Sequence, residues 1–109
     1  MRPPATFTPA ALREFREARR WLRQENPGAA IRFRDAVGTA SRLLGDQPLV
    51  GPERPELAPP PIRILVVRGF PFILAYEVTA RGRAVILRVL HSARDLPSLL
   101  GGDQISDTG

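Results

Sequence analysis

The sequence contains no cysteine, no lysine and only one histidine, His91, among its 109 residues. Without cysteine there can be no disulfide, no thiol nucleophile and no thiolate-bound metal. Without lysine there can be no Schiff-base chemistry and no P-loop lysine. One histidine is too few for a histidine-built metal site. We therefore expect no metal and no cofactor.

Long apolar runs are also missing. No stretch approaches the roughly 18 apolar residues that would span a bilayer. The first ten residues, MRPPATFTPA, contain neither the apolar core nor the cleavage pattern of a signal peptide. We expect no membrane segment and a cytoplasmic location.

Arginine is the only strongly basic residue in the sequence. Sixteen arginines stand against eleven acidic residues, which gives a net charge of +5. A basic protein of this kind fits an anionic partner, either nucleic acid or an acidic protein segment. The length is that of one small domain. We assign residues 1–100 to a single domain and 101–109 to a flexible tail.

Two helix starts are marked by a capping residue followed by proline, Thr8-Pro9 and Asn26-Pro27. The first helix is predicted to run to about Gln24. The second starts almost at once, so the two form an antiparallel hairpin. In the second helix Gly38 is expected to permit close packing against the first, and Gly45 to supply a left-handed stop.

Six prolines fall within residues 47–61, which have neither helical nor alternating periodicity. We expect an ordered surface connection there, with Pro59-Pro60-Pro61 extended. Three runs rich in Ile, Val, Leu, Phe and Tyr follow at 62–68, 72–79 and 84–91, separated by short turns. They predict an antiparallel meander. The fold class is therefore α+β, an N-terminal helical hairpin packed on a small antiparallel sheet.

Regular alternation predicts which way the strand side chains point. The first strand of the meander is apolar on both faces, which favours a strand that is covered on both sides. In the last strand, alternation places Arg88 and His91 on opposite faces. The two facing sets are Val85, Leu87, Val89 and His91 on one side, and Ile86, Arg88 and Leu90 on the other.

Three motifs in this order, FTPAALREF, AYEV and RVLHSARDL, resemble the ParE/RelE superfamily of toxins from bacterial type II toxin–antitoxin systems. The resemblance extends from about Phe7 to Leu100. It implies a RelE/ParE-like fold in which a short N-terminal strand, here Arg2–Phe7, joins the sheet. Pro3 and Pro4 restrict that strand to an edge.

The resemblance implies one of two activities. RelE-like members cleave messenger RNA on the ribosome with sheet lysines and arginines and a C-terminal tyrosine. When the shared strand motifs are aligned, the lysine positions fall on Ile64 and Val66, an arginine position near Ile73, and the tyrosine position on Leu100. Only the arginine of the terminal motif is kept, as Arg94.

This pattern favours the ParE branch, whose members inhibit DNA gyrase, and leaves enzymatic activity open. The alternative is a RelE-like ribosome-dependent endoribonuclease acting on mRNA, with Arg94, His91 and Arg68 as phosphate and proton-transfer groups. A third alternative is a member that binds its antitoxin and has lost toxicity.

The surface expected to contact the target consists of Arg88, His91, Arg94 and Asp95. His91 is also interpreted as a strand-end residue that packs and shapes this surface. Arg94 and Asp95 have an alternative local role, in which Asp95 caps the closing turn predicted over 95–100.

The resemblance also implies a ParD-like antitoxin whose flexible C-terminal region folds onto the toxin. The residues expected to contact it are Arg13, Arg16, Arg20, Arg68 and Tyr76. For the arginines, the alternative is a solvated face. For Tyr76 it is packing in the core.

Overall fold

The computed structural model describes residues 2–95. The predictions of a closing turn up to residue 100 and of a tail over 101–109 concern residues outside this range. Within it, neither helix is long and apolar enough to cross a bilayer. The elements are β1 (Thr6–Phe7), α1 (Pro9–Glu25), α2 (Pro27–Asp46), β2 (Arg63–Val66), β3 (Phe72–Val78) and β4 (Ala84–His91).

Both helices begin where their capping residues predict. The Thr8 hydroxyl accepts the Ala11 N–H at 3.1 Å, and the Asn26 side chain accepts the N–H groups of the first turn of α2 at 3.0 and 3.2 Å. Each cap satisfies amides that have no partner inside the helix. Since Asn26 is also the C-terminal cap of α1, one residue separates the helices, and the predicted hairpin is confirmed.

The two predictions for glycines in α2 are wrong. A Cβ on Gly38 would meet only the Arg42 guanidinium, at 3.5 Å, so this glycine does not serve close helix packing. Gly45 remains within α2 and has no left-handed backbone. A Cβ on Gly45 would lie 2.2 Å from the Pro3 carbonyl oxygen. Gly45 is therefore where the N-terminal segment crosses the helix closely.

The sheet has four strands in the order β1-β4-β3-β2. Its last three strands form the predicted antiparallel meander. The N-terminal strand is present, but it covers only Thr6–Phe7 and pairs in parallel with β4. The sheet is thus mixed rather than purely antiparallel.

All five phenylalanines lie on the helix-covered face of the sheet. Phe33 of α2 is fully buried, and its ring stacks on Phe15 of α1 at 5.7 Å between centroids. It also meets Phe72 of β3 at 5.0 Å and Phe70 at 5.3 Å. Each such pair is worth about 0.5–1.5 kcal/mol beyond the area it buries. This cluster fixes both helices against the sheet.

The opposite face holds a smaller core of Ile64, Ile73, Ala75 and Leu90, against which Leu57 and Ile62 of the connection pack. The first meander strand is therefore covered on both sides, as predicted, except at Val66, which is 62% exposed.

The connection is ordered by hydrogen bonds to Tyr76, as expected for an ordered segment. The Tyr76 hydroxyl donates to the Pro48 carbonyl at 2.7 Å and accepts the Gly51 N–H at 2.9 Å. The prolines before β2 are not extended, because the Pro60–Pro61 peptide is cis and the Ile62 N–H closes a turn onto Pro59.

One irregularity in β4 changes the predicted side-chain directions. Ala75 pairs with Arg88 but the next residue, Tyr76, pairs with Ile86, so β4 carries an extra residue there. Ile86 and Val89, predicted on opposite faces, consequently both lie in the helix-side core. The predicted alternation of β4 is therefore wrong across this bulge, whereas beyond it Val89 and Leu90 lie in opposite cores as predicted.

Candidate functional site

Side chains close the outer edge of β4 where β1 ends. The chain leaves β1 to enter α1, so the last residues of β4 have no strand on this side, whereas β3 pairs with them on the other. The Thr8 hydroxyl donates to the Leu87 carbonyl at 2.9 Å. The Val89 N–H donates to Glu14 and the His91 N–H to Asp95, at 2.9 and 2.7 Å. Two carboxylates thus replace a strand on this edge.

Glu14 of α1 also holds Arg88. The Arg88 Nε and Nη2 donate to one Glu14 carboxylate oxygen at 2.9 and 2.6 Å, while the other oxygen accepts the Val89 N–H. These hydrogen bonds raise the pKa of Arg88 above its ordinary value, against the opposing effect of partial burial. Arg88 is therefore a cation held against α1 by hydrogen bonds to Glu14.

Asp95 is the second carboxylate of this edge. Partial burial acts to raise its pKa, but the hydrogen bond from the His91 N–H, the bond from Arg94 and the charges of both neighbours outweigh it. The net pKa lies below the ordinary value. Asp95 is thus ionised at neutral pH and joins the strand end to the residues that follow it.

His91 has a structural place at the strand end. Its Nδ1 accepts the N–H groups of Ala93 and Arg94 at 3.2 and 3.1 Å. Its ring meets Phe72 edge-on, with centroids 5.2 Å apart. Because Nδ1 is an acceptor, the neutral ring carries its proton on Nε2. The ring therefore orders the turn that positions Arg94.

A cleft of about 540 Å³ lies between α1 and this end of β4, and we name it the α1–β4 cleft. Its walls hold three carboxylates, from Glu14, Glu17 and Asp95, and two guanidinium groups, from Arg88 and Arg94. The remaining lining residues are Ala18, Trp21, Phe72, Val89 and Leu90. The cleft therefore combines an apolar floor with mixed charge, and its lining is not net positive.

The cleft contains Arg88, Arg94 and Asp95, three of the four residues predicted to contact a target. His91 does not line the cleft, but its Nδ1 accepts the N–H of Arg94, which does. The prediction from sequence omitted Glu14, Glu17 and Trp21. Their spacing of three and four along α1 was the available signal, since it places them on one helix face.

The residues predicted to contact an antitoxin do not form one patch. Arg13, Arg16 and Arg20 are exposed on α1 and border the face that lines the cleft. Arg68 is exposed on the β2–β3 turn. Tyr76 is fully buried and bonded to the connection, so its assignment as an antitoxin contact is wrong. Its alternative, packing in the core, is confirmed.

Nothing in the cleft provides a metal site. Within residues 2–95, no group of three or more His, Asp or Glu side chains is placed to hold a metal ion.

Comparison with known proteins identifies one family model and similar solved structures. Residues 5–96 match the model of the family described as ParE toxin of type II toxin–antitoxin system, parDE. The chain is similar in fold to a structure titled the chromosomal ParDE TA system from P. aeruginosa, with a TM-score of 0.68. That similarity has 19% sequence identity and covers 81% of this chain and 94% of the other. No curated protein sequence matches the chain.

Proposed function

Because the chain belongs to the ParE toxin family of type II toxin–antitoxin systems, we propose that it acts in the cytoplasm by binding and inhibiting DNA gyrase through the α1–β4 cleft. The observation that carries this proposal is the charge of the cleft. Three carboxylates and two guanidinium groups around an apolar floor suit a protein surface, since protein interfaces combine an apolar centre with a mixed polar rim.

Trp21 is the apolar anchor of this surface. Its side chain is 48% exposed although it lines the cleft. Exposed tryptophan and arginine are the residues that dominate binding energy at protein interfaces. Arg88 is held by Glu14, so it reaches a partner without first losing side-chain freedom.

The same features argue against endoribonuclease chemistry in the cleft. RNA cleavage needs cations that stabilise a phosphorane-like charge and a group that moves a proton. Arg88 and Arg94 already pair with carboxylates, and His91 does not line the cleft. Arg68 lies on the turn that precedes β3 and does not line the cleft.

We also propose a cognate ParD-like antitoxin that contacts the basic stripe of α1, defined as Arg13, Arg16 and Arg20. The stripe borders the cleft, so an acidic segment along it would extend into the proposed target surface and compete with gyrase. The antitoxin would therefore neutralise the toxin by covering the surface that binds gyrase.

A supercoiling assay with purified gyrase tests the target. We expect the protein to inhibit supercoiling at micromolar concentration and Trp21→Ala to weaken inhibition at least tenfold, because it removes the anchor. Ile31→Ala is the matched control, since Ile31 is 51% exposed on α2 and does not line the cleft. Cleavage of ribosome-bound message without any effect on gyrase would refute the proposal.

Titration of the purified antitoxin against charge variants tests the stripe. Replacing Arg13, Arg16 and Arg20 with Gln should weaken the complex at least tenfold. The matched control replaces three exposed arginines of α2, Arg32, Arg34 and Arg42, and removes the same charge. Equal weakening by both variants would exclude a specific role of the stripe.

A further inference from the structure

A second cleft, of about 620 Å³, lies at the other end of the sheet, and we name it the hairpin cleft. It is formed by the N-terminal segment, the end of α2 and the β3–β4 hairpin. Its lining residues are Arg2, Pro3, Pro4, Ala5, Thr6, Gly45, Thr79, Arg81, Gly82, Arg83 and Ala84. None of them belongs to the surfaces assigned above to gyrase or to the antitoxin.

The hairpin cleft differs from the α1–β4 cleft in charge. Its lining holds three guanidinium groups, those of Arg2, Arg81 and Arg83, and no carboxylate. Among the described residues, these arginines take part in none of the salt bridges, which use Arg34, Arg54, Arg88 and Arg94 instead. Their charge is therefore available to an anion.

The segments that carry the arginines are fixed in place. In the hairpin, the Gly82 N–H donates to the Thr79 carbonyl and the Thr79 N–H to the Arg83 carbonyl, both at 2.8 Å. Gly82 has φ +78°, which suits glycine in the left-handed position of such a turn. On the facing wall, the N-terminal backbone lies against Gly45. The cleft is thus a preformed concave surface.

The lining also limits the kind of anion. It contains no aromatic side chain, whereas proteins that bind single-stranded nucleic acid stack bases on aromatic rings. It contains no large apolar side chain that could receive the apolar face of an amphipathic acidic peptide. Guanidinium groups match phosphate oxygens in geometry and charge.

We propose that the hairpin cleft binds the phosphate backbone of duplex DNA. Contacts limited to phosphates bring affinity without base readout, so the binding is independent of sequence. The strand β4 runs from Ala84 in this cleft to Leu90 in the other, about 20 Å at about 3.3 Å per residue. The protein can therefore hold DNA at one end of the sheet and a protein at the other.

Fluorescence anisotropy with a labelled 20-base-pair duplex of arbitrary sequence tests this site. Each phosphate contact contributes about −0.9 to the slope of log K against log salt, so three arginines predict a slope of about −2.7. The variant Arg81→Gln/Arg83→Gln should bind at least tenfold more weakly in low salt, with a slope reduced by about 1.8. Both side chains are exposed, and an unchanged thermal melt verifies folding.

The matched control is Arg23→Gln/Arg32→Gln, which removes the same charge from exposed helix positions outside both clefts. This control variant should leave the slope of log K against log salt unchanged. Equal weakening by the two double variants would refute the site in favour of diffuse attraction to a basic protein. Poly-glutamate that binds as tightly as DNA at equal charge would refute the preference for phosphate. This result does not depend on gyrase inhibition, which the supercoiling assay measures separately.

Discussion

Replacing Glu14 should destabilise the protein more than its position on the helix surface suggests. The carboxylate accepts two hydrogen bonds from Arg88 and one from the Val89 backbone. Side chains that are 42% and 23% exposed keep part of their hydration, so the ion pair contributes about 1–1.5 kcal/mol rather than the larger value of a buried pair.

The backbone contact adds a second contribution. In Glu14→Ala the Val89 N–H loses its acceptor on the edge of β4, at a cost of about 1 kcal/mol. The total is about 2–2.5 kcal/mol, which lowers the midpoint of thermal unfolding by about 8–10 °C for a domain of this size. Glu14→Gln retains an acceptor oxygen for Val89 and should lose only about 1 kcal/mol.

Urea denaturation of the single and double variants of Glu14 and Arg88 measures the coupling directly. We expect a coupling energy of about 1 kcal/mol between Glu14→Gln and Arg88→Met. Glu17→Ala is the control, because Glu17 lines the same cleft and makes no ion pair within the described residues; it should change stability by less than about 0.5 kcal/mol. A coupling energy near zero, or equal losses for Glu14 and Glu17, would refute the reasoning.

Three further predictions concern stability. Gly45→Ala should displace the N-terminal segment and lower the melting temperature, whereas Gly38→Ala has room for its methyl group and should be neutral or stabilising by up to about 1 kcal/mol; equal effects in a thermal melt would contradict this. Tyr76→Phe should cost about 1–3 kcal/mol by leaving the Gly51 N–H without an acceptor. Burial raises the pKa of Tyr76, so above about pH 10 its hydroxyl stays neutral in the folded protein while it ionises in the unfolded chain. In urea titrations, the free energy of unfolding of the wild type should therefore exceed that of Tyr76→Phe by less above this pH. Asp95 has a lowered pKa, so its contribution is complete above about pH 4 and is lost as the pH falls through the folded-state pKa; a stability difference from Asp95→Asn that does not narrow in acid would contradict this.

Local signals in the sequence were sufficient for the helices. The threonine and asparagine caps, each followed by proline, act on amides within one turn, so the adjacent residues alone are enough to recognise them. Runs of β-branched and aromatic residues likewise predicted the three meander strands. The motifs at the first helix, in β3 and at the end of β4 were sufficient for the family.

The bulge in β4 could not be predicted in the same way. Residues 84–91 read as a regular strand, and the extra residue is visible only when Ala75 and Tyr76 are paired with their partners. The close approach at Gly45 could not be predicted for a similar reason, because the backbone that approaches this glycine comes from the other end of the chain.

The residues of the candidate site also fall into those that the sequence predicted and those that only the fold brings together. RVLHSARDL placed Arg88, Arg94 and Asp95 near one strand end, and the resemblance assigned them to a target surface. Glu14 lies 74 residues away from Arg88, so its part in the site depends on how α1 docks on the sheet. The sequence by itself determined the elements, the family and the excess of arginine, since these depend on local chemistry and composition. Only the tertiary structure decided which arginines are neutralised by carboxylates and which remain available, because that depends on side chains brought together from distant segments.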